Sequence, residues 1–394
     1  MAATGDEPGV VVVVGAGIGG LAAAVGLTKI GRTAVVLEQA PELRAAGAGI
    51  SLLANAQRSL DQLGVGSVIR AGSASMMPGG EGVRTPSGRR LMKRTSPDFV
   101  HRHGLSTIVL PRRDLHRALG DVLPEGCVRT GAEVTGIAGR VVTYRDRTGE
   151  HTIEADLVVA ADGINSRARQ AMFPGVADPV YSGHSVFRGI AETTAVDPGG
   201  TTWGRGLEFG RMPLAGDRAY WYAVVNARPG MTHADPHAEV LRRFGGWHDP
   251  IPALVRATPP DSVLYNDVFE LAERLPSYRH ENTVLLGDAA HAMTSDLGQG
   301  ACQALEDAVV LSAALAGSAD LTTALSTYDE QRRPRTQMIA EASRRIGRMK
   351  LREKRWEVLV RNVIMAVTPP RAGEAAMARI GDWQPPGLPG RVSA

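Results

Sequence analysis

Cysteine is scarce: the 394 residues hold two, Cys127 and Cys302, far apart and in no CxxC or metal-ligand spacing. A disulfide-stapled framework and a structural metal centre are therefore not expected, and a reducing cytoplasm fits. Lysine is nearly as rare, occurring only at 29, 93, 350 and 354 among 44 basic residues. No apolar run approaches the roughly 18 residues that cross a bilayer, and Met1 to Gly9 carries Asp6 and Glu7 instead of a basic, then apolar, leader. Neither a membrane span nor secretion is expected. Charge of one sign is also missing, since 44 basic residues face 41 acidic ones. The basic residues are spread out instead of forming the concentrated face that nucleic acid requires. One dense patch stands out: Arg344, Arg345, Arg348, Lys350, Arg352, Lys354 and Arg355. At helical spacing it reads as a solvated helix face, with a membrane surface or acidic partner as the other reading.

What remains is an ordinary globular composition, 43% hydrophobic and 22% charged, in a chain long enough for roughly two to three domains. The first forty residues predict strand Val10–Val14, a turn over Gly15–Gly20, helix Leu21–Ile30 and strand Thr33–Leu37. This is a βαβ unit whose strands are apolar throughout because both faces are covered. Turn residues break up short strands over Ser73–Val109, and a helix is expected over Arg112–Leu123. Leu157–Ala161 and Thr283–Leu286 read as further parallel strands. From Tyr181 to Phe269, β-branched and aromatic residues alternate between Gly and Pro turns, which predicts a mainly antiparallel second sheet. The tail from Ala301 reads as helical, with a break at Pro334 and a stop at Pro369-Pro370.

Gly15-Ala16-Gly17-Ile18-Gly19-Gly20 follows a strand and opens a helix, with Glu38 ending the next strand. Gly15 permits a tight turn, Gly17 lets backbone approach a pyrophosphate, Gly20 allows close helix–strand packing, and the helix start offers free N–H groups to phosphate. Glu38 can accept from a ribose 2′-OH and would repel the 2′-phosphate of NADP. NAD and FAD remain equally open at this point, because both present an adenosine ribose and a pyrophosphate.

Two later stretches decide. Asp156-Leu-Val-Val-Ala-Ala-Asp162-Gly163-Ile164-Asn165-Ser166-Arg167 ends one strand, and Leu286-Gly287-Asp288-Ala-Ala-His291-Ala-Met-Thr-Ser295-Asp296-Leu-Gly298-Gln299-Gly300 ends another and runs to Glu306-Asp307. With the first motif they resemble the single-component FAD-dependent monooxygenases of the p-hydroxybenzoate-hydroxylase-like group, which hydroxylate aromatic rings. The resemblance runs from Val10 to about Arg335, and is loose in the central sheet, through Gly204, Gly206, Phe209, Pro213 and Tyr220.

The resemblance implies an α/β fold: a Rossmann-type FAD-binding domain (1–72, 107–178 and 276–394, with C-terminal helices) interleaved with a mainly antiparallel substrate sheet (73–106 and 179–275). It implies FAD contacts at Gly15, Gly17, Gly19, Gly20, Glu38, Ser51, Arg112, Val134, Asp162, Asp288, Gly298, Gln299 and Gly300. Within that set, Gly47 to Ser51 would run under the flavin ring and Arg112, in an Arg-x-x-Leu pattern with Leu115, would meet phosphate or ribityl. Val134 would border adenine, Asp162-Gly163 would lie near pyrophosphate and nicotinamide, and Asp288 would bind ribityl hydroxyls. The helix opened at Gly298–Gly300 would face the flavin pyrimidine edge, where a positive helix end favours the anionic reduced ring. Read alone, Gly47–Gly49 is also an ordinary loop, Arg112 an exposed arginine, and Asp162 and Asp288 plain helix caps.

Similar enzymes usually carry proline where Ser295 stands, so Ser295 is a candidate substrate contact as well as a tolerated loop substitution. Arg188 and Tyr220 are the other substrate-pocket candidates, with Tyr220 and Tyr222 on one sheet face and Trp221 on the other. His101, His103, His233 and His237 lack acidic or thiolate partners and read as surface residues, and His291 as packing or capping beside the flavin loop. No side chain is singled out as catalytic and no metal is expected. The implied reaction uses NAD(P)H, O2 and a C4a-hydroperoxyflavin to hydroxylate an aromatic or other electron-rich small molecule, in a cytoplasmic monomer or homodimer. NAD(P)H has no GxGxxG of its own and would bind transiently at the cleft. The alternatives are an NAD-dependent dehydrogenase and a flavin-bearing ligand-binding protein without turnover. Halogenation finds no Trp-x-Trp-x-Ile segment.

Overall fold

Five consecutive valines, Val10–Val14, are too β-branched for a stable helix and too apolar for a surface, and they form the centre of a six-stranded sheet. Its order is Arg279–His280, Thr283–Leu285, Leu157–Ala160, Val10–Val14, Thr33–Glu38 and Val128–Thr130. All neighbours are parallel except the Arg279–His280 edge. The computed structural model describes residues 9–43, 48–76, 82–92, 105–193, 199–369, 375 and 378–389.

Helix Ile18–Lys29 covers one face of this sheet and packs on helix Gly300–Gly317. Both are apolar nearly all round, as expected of helices inside a core. A three-stranded meander, Glu133–Ala138, Val141–Asp146 and Gly149–Glu154, closes the other face by packing Val142 and Tyr144 on Val12, Val14 and Val158. Each fully buried Val or Leu here contributes about 1.5–3 kcal/mol.

A seven-stranded sheet follows the order Leu264–Glu270, Val180–Glu192, Arg218–Asn226, Leu207–Leu214, Gly200–Trp203, Val83–Arg84 and Arg90–Met92. Only the pair Gly200–Trp203 and Val83–Arg84 is parallel. Alternation divides its faces as expected. Phe187, Phe209 and Trp221 pack under helices Pro236–Phe244 and Ile251–Arg256, and Trp221 Nε1 donates to Thr258 Oγ1 at 2.8 Å. Tyr220 and Tyr222 face the other way. A small sheet of Gly49–Leu52, Ile108–Pro111 and Ala74–Ser75 bridges the two large ones, and the Tyr220 ring lies where a Cβ on Gly49 would be.

Three sequence expectations change. Pro334 does not break the tail: Leu321–Lys350 is one 30-residue helix with Pro334 inside it. Pro334 sits on the exposed side, where water can take the freed carbonyl, and buried ion pairs at Arg332 and Arg335 hold the helix on either side. The helix starting at Arg112 stops at Gly120. The basic patch is not a uniformly solvated face, because Lys350 is buried and Arg344 pairs with Glu270 at 2.8 Å. Among the described residues, no helix is long and apolar enough to cross a membrane.

Candidate functional site

The C-terminal ends of the parallel strands carry three turns. At the first, Gly15 has φ +96° and an added Cβ would lie 2.6 Å from the Ala161 carbonyl oxygen, so only glycine fits. Gly20 packs directly on the Gly15 carbonyl, while nothing lies within 4 Å of a Cβ on Gly17. Helix Ile18–Lys29 therefore begins with N–H groups that no side chain caps, at an open surface. Gly19 points away from that surface, toward Leu286 and Ala304. Glu38 accepts from Ala16 N at 2.7 Å and from Ala40 N at 2.8 Å. It ties down the turn and keeps lone pairs for a further donor. Val134 is half-buried against the valines of the first strand.

At the second turn, Asp162 Oδ2 accepts from Ala168 N at 3.3 Å, the capping role. Its other oxygen is buried with no partner among the described residues. Gly163 follows with φ +78°.

The third turn runs from Gly287 to Gly300. Asp288 is exposed at the start of Asp288–His291, with its Oδ1 3.9 Å from where a Cβ on Gly300 would be. Gly298, at φ +62°, approaches Ser51: an added Cβ would lie 3.1 Å from the Ser51 hydroxyl. Helix Gly300–Gly317 then opens without a side-chain cap. Ser295 is exposed and its carbonyl accepts from Gly298 N at 3.0 Å. Arg112, opening its own helix, lies in electrostatic reach of Asp288, Arg188 and Tyr220. Burial raises the Tyr220 phenol, opposed by its hydrogen bond with Arg188.

The structure thus brings Arg112 within electrostatic reach of Asp288, Arg188 and Tyr220, and sets Gly298 against Ser51 and Gly300 near Asp288. Gly47, His101 and His103 lie outside the described residues. The histidines expected on the surface are half-buried: His233 packs on Tyr265 with ring centroids 4.7 Å apart, and His237 bonds the Val255 carbonyl at 2.8 Å.

Sequence reasoning passed over two buried polar clusters. Beneath the third turn, Arg332 donates to Asp307 Oδ1 at 2.7 Å, Glu306 Oε2 at 2.5 Å and Gln303 Oε1 at 2.7 Å. Arg335 adds a second guanidinium to Glu306, and Asn55 Nδ2 donates to the same carboxylate at 2.6 Å. Asp307 Oδ2 accepts from Gly287 N at 2.9 Å and His291 Nε2 at 2.6 Å, so that ring nitrogen carries the proton. Burial by itself would raise the Asp307 carboxyl, but His291 and Arg332 overcome it and hold it at about 2. The signal was available: adjacent acids inside an otherwise apolar helix must find buried cations.

The second cluster lies on the sheet face that turns toward the cleft. Glu208 accepts from Tyr222 Oη at 3.2 Å, Trp203 Nε1 at 3.3 Å and Lys350 Nζ at 3.2 Å. Lys350 also donates to the Asp296 carbonyl at 3.0 Å, joining the sheet to the third turn. Burial, then Glu208, push the Tyr222 phenol well above its ordinary value. Sequence spacing cannot show a partner 142 positions away.

A family model described as "FAD binding domain" matches residues 9–186 and 254–343. The chain is 34% identical over 365 residues to aurachin C monooxygenase/isomerase of Stigmatella aurantiaca, covering 90% of this chain and 93% of that protein. It is 32% identical over 368 residues to 2-heptyl-3-hydroxy-4(1H)-quinolone synthase of Pseudomonas aeruginosa, covering 91% and 94%. Among solved structures, Klebsiella pneumoniae HpxO complexed with FAD and uric acid superposes with a TM-score of 0.84 at 27% identity, covering 94% and 96%. With three glycine turns at the ends of one parallel sheet and an antiparallel sheet facing them, the chain belongs to the single-component FAD-dependent monooxygenases, as an NAD(P)H-using hydroxylase.

Proposed function

We propose that the chain hydroxylates an electron-rich N-heteroaromatic ring of the 4-quinolone type, with NAD(P)H and O2 as co-substrates, in a reducing cytoplasm. The observation that carries this reading is that the sheet face holding Tyr220 and Tyr222 carries donors and an acceptor side by side, with Arg188 opposite Tyr222 in the register and the two tyrosine rings 6.3 Å apart. Arg188 and Tyr220 supply the donors. Beside them, Tyr222 donates its O–H to Glu208 and keeps its oxygen lone pairs to accept. Apolar Met212, Leu214, Ile190 and Val109 pack around Tyr220 and Tyr222. A 4-quinolone presents a carbonyl that needs a donor and an N–H that needs an acceptor on one flat apolar ring, and this face offers both kinds of partner. The quinolone in the name of one relative, 2-heptyl-3-hydroxy-4(1H)-quinolone synthase, supports the same class.

The residues fit FAD. Gly17 opens onto space at an uncapped helix start, and Asp162 Oδ1, Gln299 Nε2 and Asn55 Oδ1 are buried polar atoms without partners among the described residues. Such atoms are costly unless a ligand meets them. In this reading the turn at Gly15, Gly17 and Gly20 with Glu38 holds the adenosine and pyrophosphate, helped by Val134 and Asp162. Arg112 and Asp288 hold the ribityl chain, and Ser51, Gly298, Gln299 and Gly300 border the ring. Gly19 acts by letting its helix pack closely. When bound, FAD supplies hydride acceptance from NAD(P)H and activation of O2.

The chain's own contribution is placement. Arg188 and Tyr220 fix the ring's carbonyl edge, and Tyr222 accepts the ring N–H while donating its own O–H to Glu208, which Lys350 holds. Drawing the N–H hydrogen toward the Tyr222 oxygen leaves more electron density on nitrogen and the ring, which favours attack by an electrophilic oxygen. The apolar side chains keep water from the reacting carbon.

The test is aerobic NAD(P)H oxidation with product analysis over 2-alkyl-4-quinolones, phenols and urate. Quinolones are expected to stimulate oxidation and to emerge hydroxylated; stimulation only by phenols or urate would refute the assignment. Tyr222→Phe should cut kcat/KM for an N–H quinolone about tenfold to hundredfold, the worth of a hydrogen bond coupled to a charge, and leave an N-methyl quinolone unaffected.

A further inference from the structure

Helix Arg355–Val367 is built inside out. Trp356, Leu359, Val360, Val363, Ile364 and Val367 recur at i, i+3, i+4, i+7, i+8 and i+11, one continuous stripe. A surface helix buries such a stripe. Here it faces outward, from 48% exposed at Val360 to 73% at Val367. The inward residue is the charged one: Arg361 is buried and donates to the Gly204 carbonyl at 3.1 Å and the Lys350 carbonyl at 2.5 Å. Met365 packs beside it on Trp203, Val83 and Leu91. These contacts fix the helix's rotation, so the apolar side cannot turn inward without unpairing a buried guanidinium. No charged residue stands within the exposed stripe.

The stripe is flanked by cations. Arg345, Arg348, Arg352, Lys354 and Arg355 are all exposed just before or at the helix start. Acids offset part of this charge, since Glu341 pairs with Arg345 at 2.8 Å, Glu357 pairs with Arg352 at 3.5 Å and Glu353 accepts from Asn226 at 2.7 Å, but the cluster stays net basic through Arg348, Lys354 and Arg355. Isolated apolar residues on a surface need no explanation, but a contiguous patch beside a net basic cluster does. A second copy of the chain meeting this patch across a two-fold axis would bring like cations together. An anionic bilayer satisfies both parts at once, with the stripe in the headgroup–acyl boundary and the guanidinium and ammonium groups on lipid phosphates. Trp356, at the end of the stripe nearest the cations, sits where an amphipathic ring favours the interface.

We propose that helix Arg355–Val367 seats the enzyme on an anionic membrane surface without crossing it. The link to purpose rests on the substrate reading above, since an alkyl-bearing ring partitions into lipid; the binding itself needs no substrate.

The test uses FAD-loaded full-length protein and vesicles of phosphatidylcholine alone or mixed with phosphatidylglycerol. Sedimentation with the mixed vesicles is expected, and little with phosphatidylcholine. Leu359→Glu with Val363→Glu should lower the partition coefficient at least about tenfold. Arg352→Gln with Lys354→Gln should lower it roughly thirtyfold. Both variants should keep FAD content and turnover of a water-soluble quinolone. Brominated acyl chains should quench the fluorescence of Trp356, and Trp356→Phe should remove that quenching. Equal sedimentation of wild type and both variants would overturn the proposal. So would a wild-type dimer in velocity sedimentation that Leu359→Glu with Val363→Glu dissociates, with no vesicle binding; the patch would then belong to a second copy. Vesicle binding without quinolone turnover would refute the substrate reading alone.

Discussion

Arg332→Met removes the cation from beneath the third glycine turn and leaves Glu306 and Asp307 in a fully buried site. Unpairing a buried charge costs about 3–5 kcal/mol. Arg335 still pairs with Glu306 at 2.7 Å and His291 with Asp307 at 2.6 Å, so the lower end, about 3 kcal/mol, is expected. The damage has a direction. Asp307 Oδ2 holds Gly287 N and Asp307 Oδ1 takes Arg332, so loss of Arg332 frees the strand end that carries Asp288. FAD affinity should fall in the same variant. Urea unfolding of wild type, Arg332→Met, and Arg332→Met combined with Glu306→Gln and Asp307→Asn measures this, together with flavin titration. The triple variant has no stranded charge and should recover more than half of the lost stability, because replacing a buried ionic group as a whole is far cheaper than halving it. A single-variant loss below about 0.5 kcal/mol, the size of an ordinary surface substitution, would refute the reasoning. So would a triple variant no more stable than the single one.

Gly17→Glu should abolish FAD retention with the fold intact, since a carboxylate would stand where the pyrophosphate approaches; a purified variant with stoichiometric flavin contradicts this. Asp307, held at about 2 against an ordinary 3.8, contributes about 2 kcal/mol of pH-linked stability. Its folded value is depressed, so that stability is full above about pH 4 and lost as pH falls toward 2. The gap between wild type and Asp307→Asn in urea midpoint should therefore narrow as pH drops from 6 to 3, and a constant gap would refute the assignment. Cys302, fully buried and pushed up to about 12 by that burial, should resist a thiol-specific reagent until the protein unfolds; rapid native modification would count against the packing around Ser51.

Local chemistry made the first βαβ unit legible. Val10–Val14 has no other stable environment than a doubly covered strand, and Gly15 and Gly20 stand where a Cβ meets backbone. Alternation likewise placed Tyr220, Trp221 and Tyr222 on their correct faces. Pro334 misled because its cost depends on which side of the helix is wet, a tertiary property. Glu208 and Lys350 were unreadable for a related reason: each looks like a surface residue in its own segment, and only the approach of the C-terminal helix to the sheet turns them into a pair. Glu38 shows a further limit, since the residue type pointed to a ribose while the structure also gives it the Ala16 and Ala40 amides.

The central claim is that the chain holds FAD across the three turns and uses it to place one oxygen atom of O2 on a ring bound against Tyr220 and Tyr222. The most direct measurement is turnover of a 2-alkyl-4-quinolone with NAD(P)H under 18O2, with mass analysis of the product. A hydroxyl carrying 18O, formed by protein with bound FAD, is predicted. Product oxygen drawn from water, or protein that retains no flavin after reconstitution, would contradict the account.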